Sequence, residues 1–228
     1  YVDSSQAIDV GLRAHMNKVY GLMAVAMVIT GAVAFAVGTS NLVYIIQGTW
    51  LRWVVMLAPL GVVFMFGAKI HSMRVATAQL VFWVFAALIG LSISYIFLAF
   101  TKVSITQTFF TTAVAFGALS LYGYTTKRDL TGMGNFLFIG LVGIIIASIV
   151  NLFILSNVMH FAISAIGVLI FAGLTAYDTQ NIKNTYLQCR SSYGEEYAEK
   201  MGIMGALSLY LNFLNMFMFL LQFMGNRD

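Results

Sequence analysis

The stretch MGALSLYLNFLNMFMFLLQF, residues 204–223, decides the fold. It carries no charge over 20 residues, and as a helix rising 1.5 Å per residue it is about 30 Å long, the thickness of a bilayer's hydrocarbon core. Three of its polar members, Ser208, Asn212 and Asn215, are spaced by four and three, so they share one face of a largely apolar helix. Working outward, apolar runs occur at 19–39, 54–70, 75–100, 108–124, 135–155 and 159–180, with the last run at 204–224. The breaks are short and polar: HSMR (71–74), TKVSITQ (101–107), TTKRDLTGMG (125–134) and SNV (156–158). One longer insert, NIKNTYLQCRSSYGEEYAEK (181–200), reads as a loop before the seventh run. Strands of a membrane barrel alternate in polarity over roughly ten residues; these runs are longer and apolar on all sides. The expected fold is all-α, a polytopic membrane protein with a seven-transmembrane-helix bundle. It forms one domain over 1–228, with 1–18 as a cytoplasmic tail.

Composition agrees. The chain of 228 residues is 61% hydrophobic and 9% charged, against about 25% charged in a soluble domain. Such apolar content excludes disorder, and one proline and one cysteine exclude proline-rich and disulfide-framework designs. The net charge of +4 is an insertion signal rather than a nucleic-acid footprint. Arg13, Lys18, Lys69, Arg74, Lys127, Arg128, Lys183, Arg190 and Lys200 fall on one side of the expected spans, and Arg52, Lys102 and Arg227 on the other. That bias places the N-terminus in the cytoplasm and the C-terminus outside. No basic patch interleaved with aromatics is present, so no nucleic-acid partner is expected; the partner is the lipid bilayer. Cys189 is expected as a free thiol.

Catalytic spacings are missing: no G-x-S-x-G, P-loop, complete G-x-G-x-x-G or H-E-x-x-H occurs. The three histidines, His15, His71 and His160, share no metal-ligand spacing and are expected in structural or interfacial roles. No enzyme activity and no resident cofactor are expected. The small-residue pairs Ala32/Ala36, Ala34/Gly38 and Ala113/Gly117 read as close helix-packing positions.

The acidic residues are Asp3, Asp9, Asp129, Asp178, Glu195, Glu196, Glu199 and Asp228. Only Asp178 follows directly on an apolar run, IGVLIFAGLTAYD. Carboxylates at bilayer depth are costly and tend to be functional; the bland alternative is a helix end that meets solvent near Lys183. The seventh run favours the first reading. Asn212 lies roughly 12 Å along the helix from Met204, and the sixth and seventh helices run antiparallel from the insert. Asp178 and Asn212 can therefore meet at similar depth; an Asn face alone reads more often as interhelical glue, but one opposite the one intramembrane carboxylate points towards an ion or proton site. Ser148 and Asn151 form a further polar pair on the fifth helix, expected nearer the outer side.

Three blocks, SLYGYTTKRDL (120–130), FAGLTAYDTQNIK (171–183) and GALSLYLNFLNMF (205–217), resemble the Bax inhibitor-1 family, also called the transmembrane Bax inhibitor motif family, and in particular its bacterial inner-membrane members. The resemblance covers essentially the whole chain. It implies six helices around a central seventh and a pH-sensitive calcium leak, with suppression of cell death in eukaryotic relatives. It attributes the leak to two aspartates sharing a proton-dependent contact. The first falls at Asp178, which would also meet calcium transiently, and the second at Asn212, where the family commonly has LYLDF. A basic partner near the end of the second helix falls at Lys69 or Arg74.

The Asp-to-Asn departure matters because two close carboxylates resist double ionisation and so titrate near neutral pH. Asn212 cannot titrate; its amide donates permanently to Asp178. The expected function is a pH-modulated calcium leak gated near Asp178, with Asn212, Ser208 and Asn215 along the path, and with weaker or acid-displaced pH control. The alternative is a non-transporting regulator that binds other membrane proteins, such as a quality-control protease. An intramembrane hydrolase would need paired aspartates or an Asp/His metal cluster.

Overall fold

Long apolar runs without internal charge close their backbone hydrogen bonds within the segment, since lipid offers none. The computed structural model shows this outcome. It describes the backbone of residues 2–192 and 194–226 and the side chains of 10–188 and 194–226. Arg227 and Asp228, and the side chains of Cys189, Arg190 and the first nine residues, lie outside the described residues. Among the described residues there is no strand, and the helices are α1 (Val2–Gly38), α2 (Leu42–Gly48), α3 (Leu51–Lys69), α4 (Val75–Ile93), α5 (Ile96–Ala99), α6 (Lys102–Thr125), α7 (Thr131–Ile154), α8 (Asn157–Ser192) and α9 (Glu195–Met224). Seven segments are long and apolar enough to cross a membrane: Val10–Gly38, Leu51–Lys69, Val75–Ala99, Lys102–Thr125, Thr131–Ile154, Asn157–Gln188 and Glu195–Met224. The protein is all-α and polytopic.

Two differences from the sequence reading have local causes. The insert at 181–200 is not a loop: α8 continues to Ser192 and α9 begins at Glu195. Good helix formers (Glu195, Glu196, Ala198, Glu199 and Lys200) begin α9, and the reversal falls at Gly194, whose φ of +82° suits a residue without Cβ. The break at 101–107 is mostly the first turns of α6, where Thr101 caps the helix by accepting from Ser104 N at 3.2 Å.

The chain forms two compact units. The first comprises Tyr1–Ala99 and Ile182–Leu207. Within it α1 packs on α4, and α4 on α3. The α1–α4 crossing is close because Gly90 faces the backbone of Thr30, whose hydroxyl donates to Ala86 O at 2.8 Å. Gly38 likewise lies against Ser94 and Phe97. Of the small-residue pairs, Ala34/Gly38 is buried in this packing, while Ala32 and Ala36 are exposed. Gly117, in the other unit, has open space where a Cβ would stand, so the Ala113/Gly117 pair is not a close crossing. Spacing put each pair on one face, but only neighbours decide which face is packed. At one end of this unit Lys18 pairs with Glu199, Lys200 donates to His71 O at 3.3 Å, and His15 and His71 stack on Tyr186 and Tyr197. Residues 15–18 of α1, the 71–74 turn and the start of α9 therefore share an end.

The second unit comprises Phe100–Asn181 and Ser208–Asp228. Leu137, Ile144, Ile163 and Ile170 form an apolar seam between α7 and α8. Phe109 and Phe116 of α6 meet Phe213 of α9 edge-on, at 5.6 and 5.5 Å between ring centres. At one end Thr101 N donates to Asn226 O at 3.1 Å, and Asn226 N donates to Ser104 Oγ at 2.8 Å, fastening residue 226 to the start of α6. The last span is the most interior of the seven: 56% of its most apolar window is buried, against 33% or less elsewhere.

Candidate functional site

The site lies within the second unit, where α8 passes the C-terminal part of α9. Ser208 and Asn212, one turn apart on α9, both point at Asp178 of α8. Ser208 Oγ donates to Asp178 Oδ2 at 2.5 Å, and Asn212 Nδ2 donates to the same oxygen at 2.7 Å. Asn212 is only 5% exposed, and Asp178 is half-buried. The other carboxylate oxygen, Oδ1, takes no hydrogen bond from the described residues. Asn215, the third polar residue of the face, turns its Nδ2 back to Leu211 O at 2.8 Å.

These four residues line one cavity of about 570 Å³. Its remaining wall is apolar, chiefly Leu141, Ile144 and Ile145 of α7, Phe171 and Leu174 of α8, and Phe219 of α9, with Ser148 of α7 as a further polar member. Asn151 does not join it: its Oδ1 accepts from Ser156 N at 3.0 Å and helps end α7, where Leu155 adopts a left-handed φ of 54°. Lys69, in the last turn of α3, and Arg74, the residue before α4, belong to the first unit and are exposed. The donors found on Asp178 are neutral ones.

Sequence reasoning passed over Gln180. Two residues beyond Asp178 and so on another face of α8, it is 7% exposed. Its Oε1 accepts from Leu130 N at 2.9 Å and its Nε2 donates to Arg128 O at 2.8 Å. One amide thus satisfies two backbone groups of the α6–α7 connection, beside Asp129, whose Oδ1 accepts from Thr131 N and Oγ1 at 2.9 and 2.6 Å. Those bonds hold the Asp129 carboxyl below the usual carboxylate range. The signal for Gln180 was a long amide directly after an apolar run.

A polytopic helical protein with one carboxylate held by hydroxyl and amide donors in a cavity among its last helices defines the class. The chain belongs to the Bax inhibitor-1 family: the family model described as "Inhibitor of apoptosis-promoting Bax1" matches residues 12–228. It is similar to an uncharacterized protein of Rickettsia prowazekii, 45% identical over 224 residues (98% of this chain, 94% of that one). It is also similar to the inner membrane protein YbhL of Escherichia coli K12, 42% identical over 219 residues (95% of this chain, 93% of that one). A Caulobacter vibrioides protein is 43% identical over 237 residues (99% of this chain, 94% of that one).

Proposed function

We propose that this protein is a passive, pH-modulated calcium leak gated at Asp178, without enzyme activity or a resident cofactor. It sits in a bacterial inner membrane, as the name of the Escherichia coli relative supports, with its N-terminus cytoplasmic and its C-terminus outside, as the Lys/Arg bias supports. The observation that carries the reading is the disposition of one carboxylate. Asp178 Oδ2 is occupied by Ser208 and Asn212, tying α8 to α9, while Oδ1 is left for a cation in the cavity. Calcium takes oxygen ligands, and the Asn and Ser oxygens around Asp178 are of that kind. A proton on Asp178 removes the charge that both donors hold, loosens the α8–α9 tie and opens the path, so flux rises as pH falls. Because Asn212 cannot titrate, only one proton operates this gate, and pH control is weaker or displaced to acid.

The test is calcium entry into dye-loaded proteoliposomes at pH 6, 7 and 8, with native protein and Asp178→Asn inserted to equal extent. Flux above empty liposomes that changes with Asp178→Asn supports the leak; flux equal to empty liposomes at every pH sinks it. The second reading, a non-transporting regulator that binds a membrane protease or other membrane proteins, is favoured by the missing second carboxylate. It requires that deleting residues 1–15 abolish the cellular phenotype while Asp178→Asn leaves it intact.

A further inference from the structure

The cavity beside Asp178 has walls that a passing metal ion does not use. Its volume of about 570 Å³ lies in the range of small-molecule sites, roughly 300–1,000 Å³. Its polar corner carries one charged group, the Asp178 carboxylate. Ser208 Oγ and Asn212 Nδ2 already donate to Asp178 Oδ2, and Asn215 Nδ2 donates to Leu211 O. What they leave for a guest includes Asp178 Oδ1, an oxygen of the one carboxylate in the lining, and the two amide carbonyls, beside one N–H of each amide. Such a corner recognises a cation that donates hydrogen bonds, as an ammonium does with three N–H groups.

The rest of the lining is hydrocarbon, including Leu141, Ile144, Leu174 and Phe219. Two members of the lining, Ile145 and Ile149, are each 52% exposed. They lie on α7, a spanning helix, so the cavity's rim there faces lipid. An alkyl tail moving from lipid into this space stays in an apolar medium, while a charged head at bilayer depth needs a counter-charge, which Asp178 supplies. Among the described residues no Lys, Arg or His lines the cavity, so a lipid phosphate has no partner there.

We infer that this cavity is a binding site for a protonated single-chain alkylamine, its ammonium on Asp178 and its tail among the apolar side chains of α7, α8 and α9. The site is independent of whether ions cross, and its test reads binding alone, so its failure and that of the leak are distinguishable.

The full chain is placed in phosphatidylcholine nanodiscs at pH 7 and titrated with radiolabelled dodecylamine. Saturable binding of about one amine per chain above empty discs is expected, weakened at least tenfold by Asp178→Asn. Ser148→Phe fills the cavity and keeps the carboxylate, and the same loss is expected there. It carries the test alone should Asp178→Asn unfold. Neither dodecanol, which lacks the charge, nor phosphatidylethanolamine, which adds a phosphate, displaces the label. Binding equal to that of empty discs, binding unchanged in a folded variant, or displacement by either competitor overturns the assignment.

Discussion

Asp178 accepts both of its hydrogen bonds on one oxygen, and both donors come from one face of α9. That face was legible in the sequence because offsets of four and three define a helical side without any tertiary knowledge. Its partner was legible because only one carboxylate adjoins an apolar run. Gln180 was not legible as a clamp: its value depends on which backbone groups of the 126–130 connection lie opposite, and nothing local encodes that. The asparagine gives the first prediction. Asn212→Asp puts a second titratable group on Asp178, and the pH profile of calcium flux should steepen and move towards neutral. An unchanged profile would show that this pair does not set the pH response. Asp129 supplies a contrast. Its folded-state carboxyl titrates below its usual range, so its contribution to stability is full above the unfolded value of about 4 and is lost as pH falls through the lower folded value. The melting-temperature difference between native protein and Asp129→Ala should stay constant from pH 8 to about 5 and shrink below about 4. A difference that varies between pH 6 and 8 would make Asp129 part of the sensor.

Helices were easy to find and their contacts were not. Apolar length located every span, yet the polar insert between the sixth and seventh runs proved to be the ends of α8 and α9, because polarity marks exposure and not the end of a helix. Small-residue spacing was right at Ala34/Gly38 and wrong at Ala32/Ala36 and Ala113/Gly117 for a related reason: four-residue spacing fixes a face, and only the neighbouring helix makes that face an interface. The glycines convert this into a comparison. A Cβ at Gly90 would stand 2.6 Å from Thr30 O and 2.9 Å from Val33 Cβ, whereas Gly117 has nothing within 4 Å. Gly90→Ala should destabilise the protein by about 1–3 kcal/mol, as overpacking does. Gly117→Ala should be neutral or stabilise by up to about 1 kcal/mol, since alanine is the better helix former. Thermal unfolding in matched detergent separates the two; equal shifts would contradict the close α1–α4 crossing.

At the scale of the whole molecule, the proposed topology rests on seven spans and a one-sided distribution of Lys and Arg. With Cys189 replaced by serine, cysteines introduced at Lys127 and at Trp50 should react from opposite sides of intact inner-membrane vesicles, Lys127→Cys from the cytoplasmic face. Reaction of both from one side would overturn the orientation.

The fastening of Asn226 to Thr101 and Ser104, and the place of residues 182–207 in the first unit, also bear on how the protein is made. Both units are completed by segments that leave the ribosome after residue 181. At about 5–20 residues per second, six spans wait in the membrane for several seconds with their inward faces unsatisfied. Among them are the carboxylate of Asp178 without its α9 donors, and Thr101 N and Ser104 Oγ without Asn226. Insertion machinery must shelter that intermediate until α9 arrives. A ribosome that stalls between residues 182 and 226 leaves behind not a shorter protein but an open one, ready for removal.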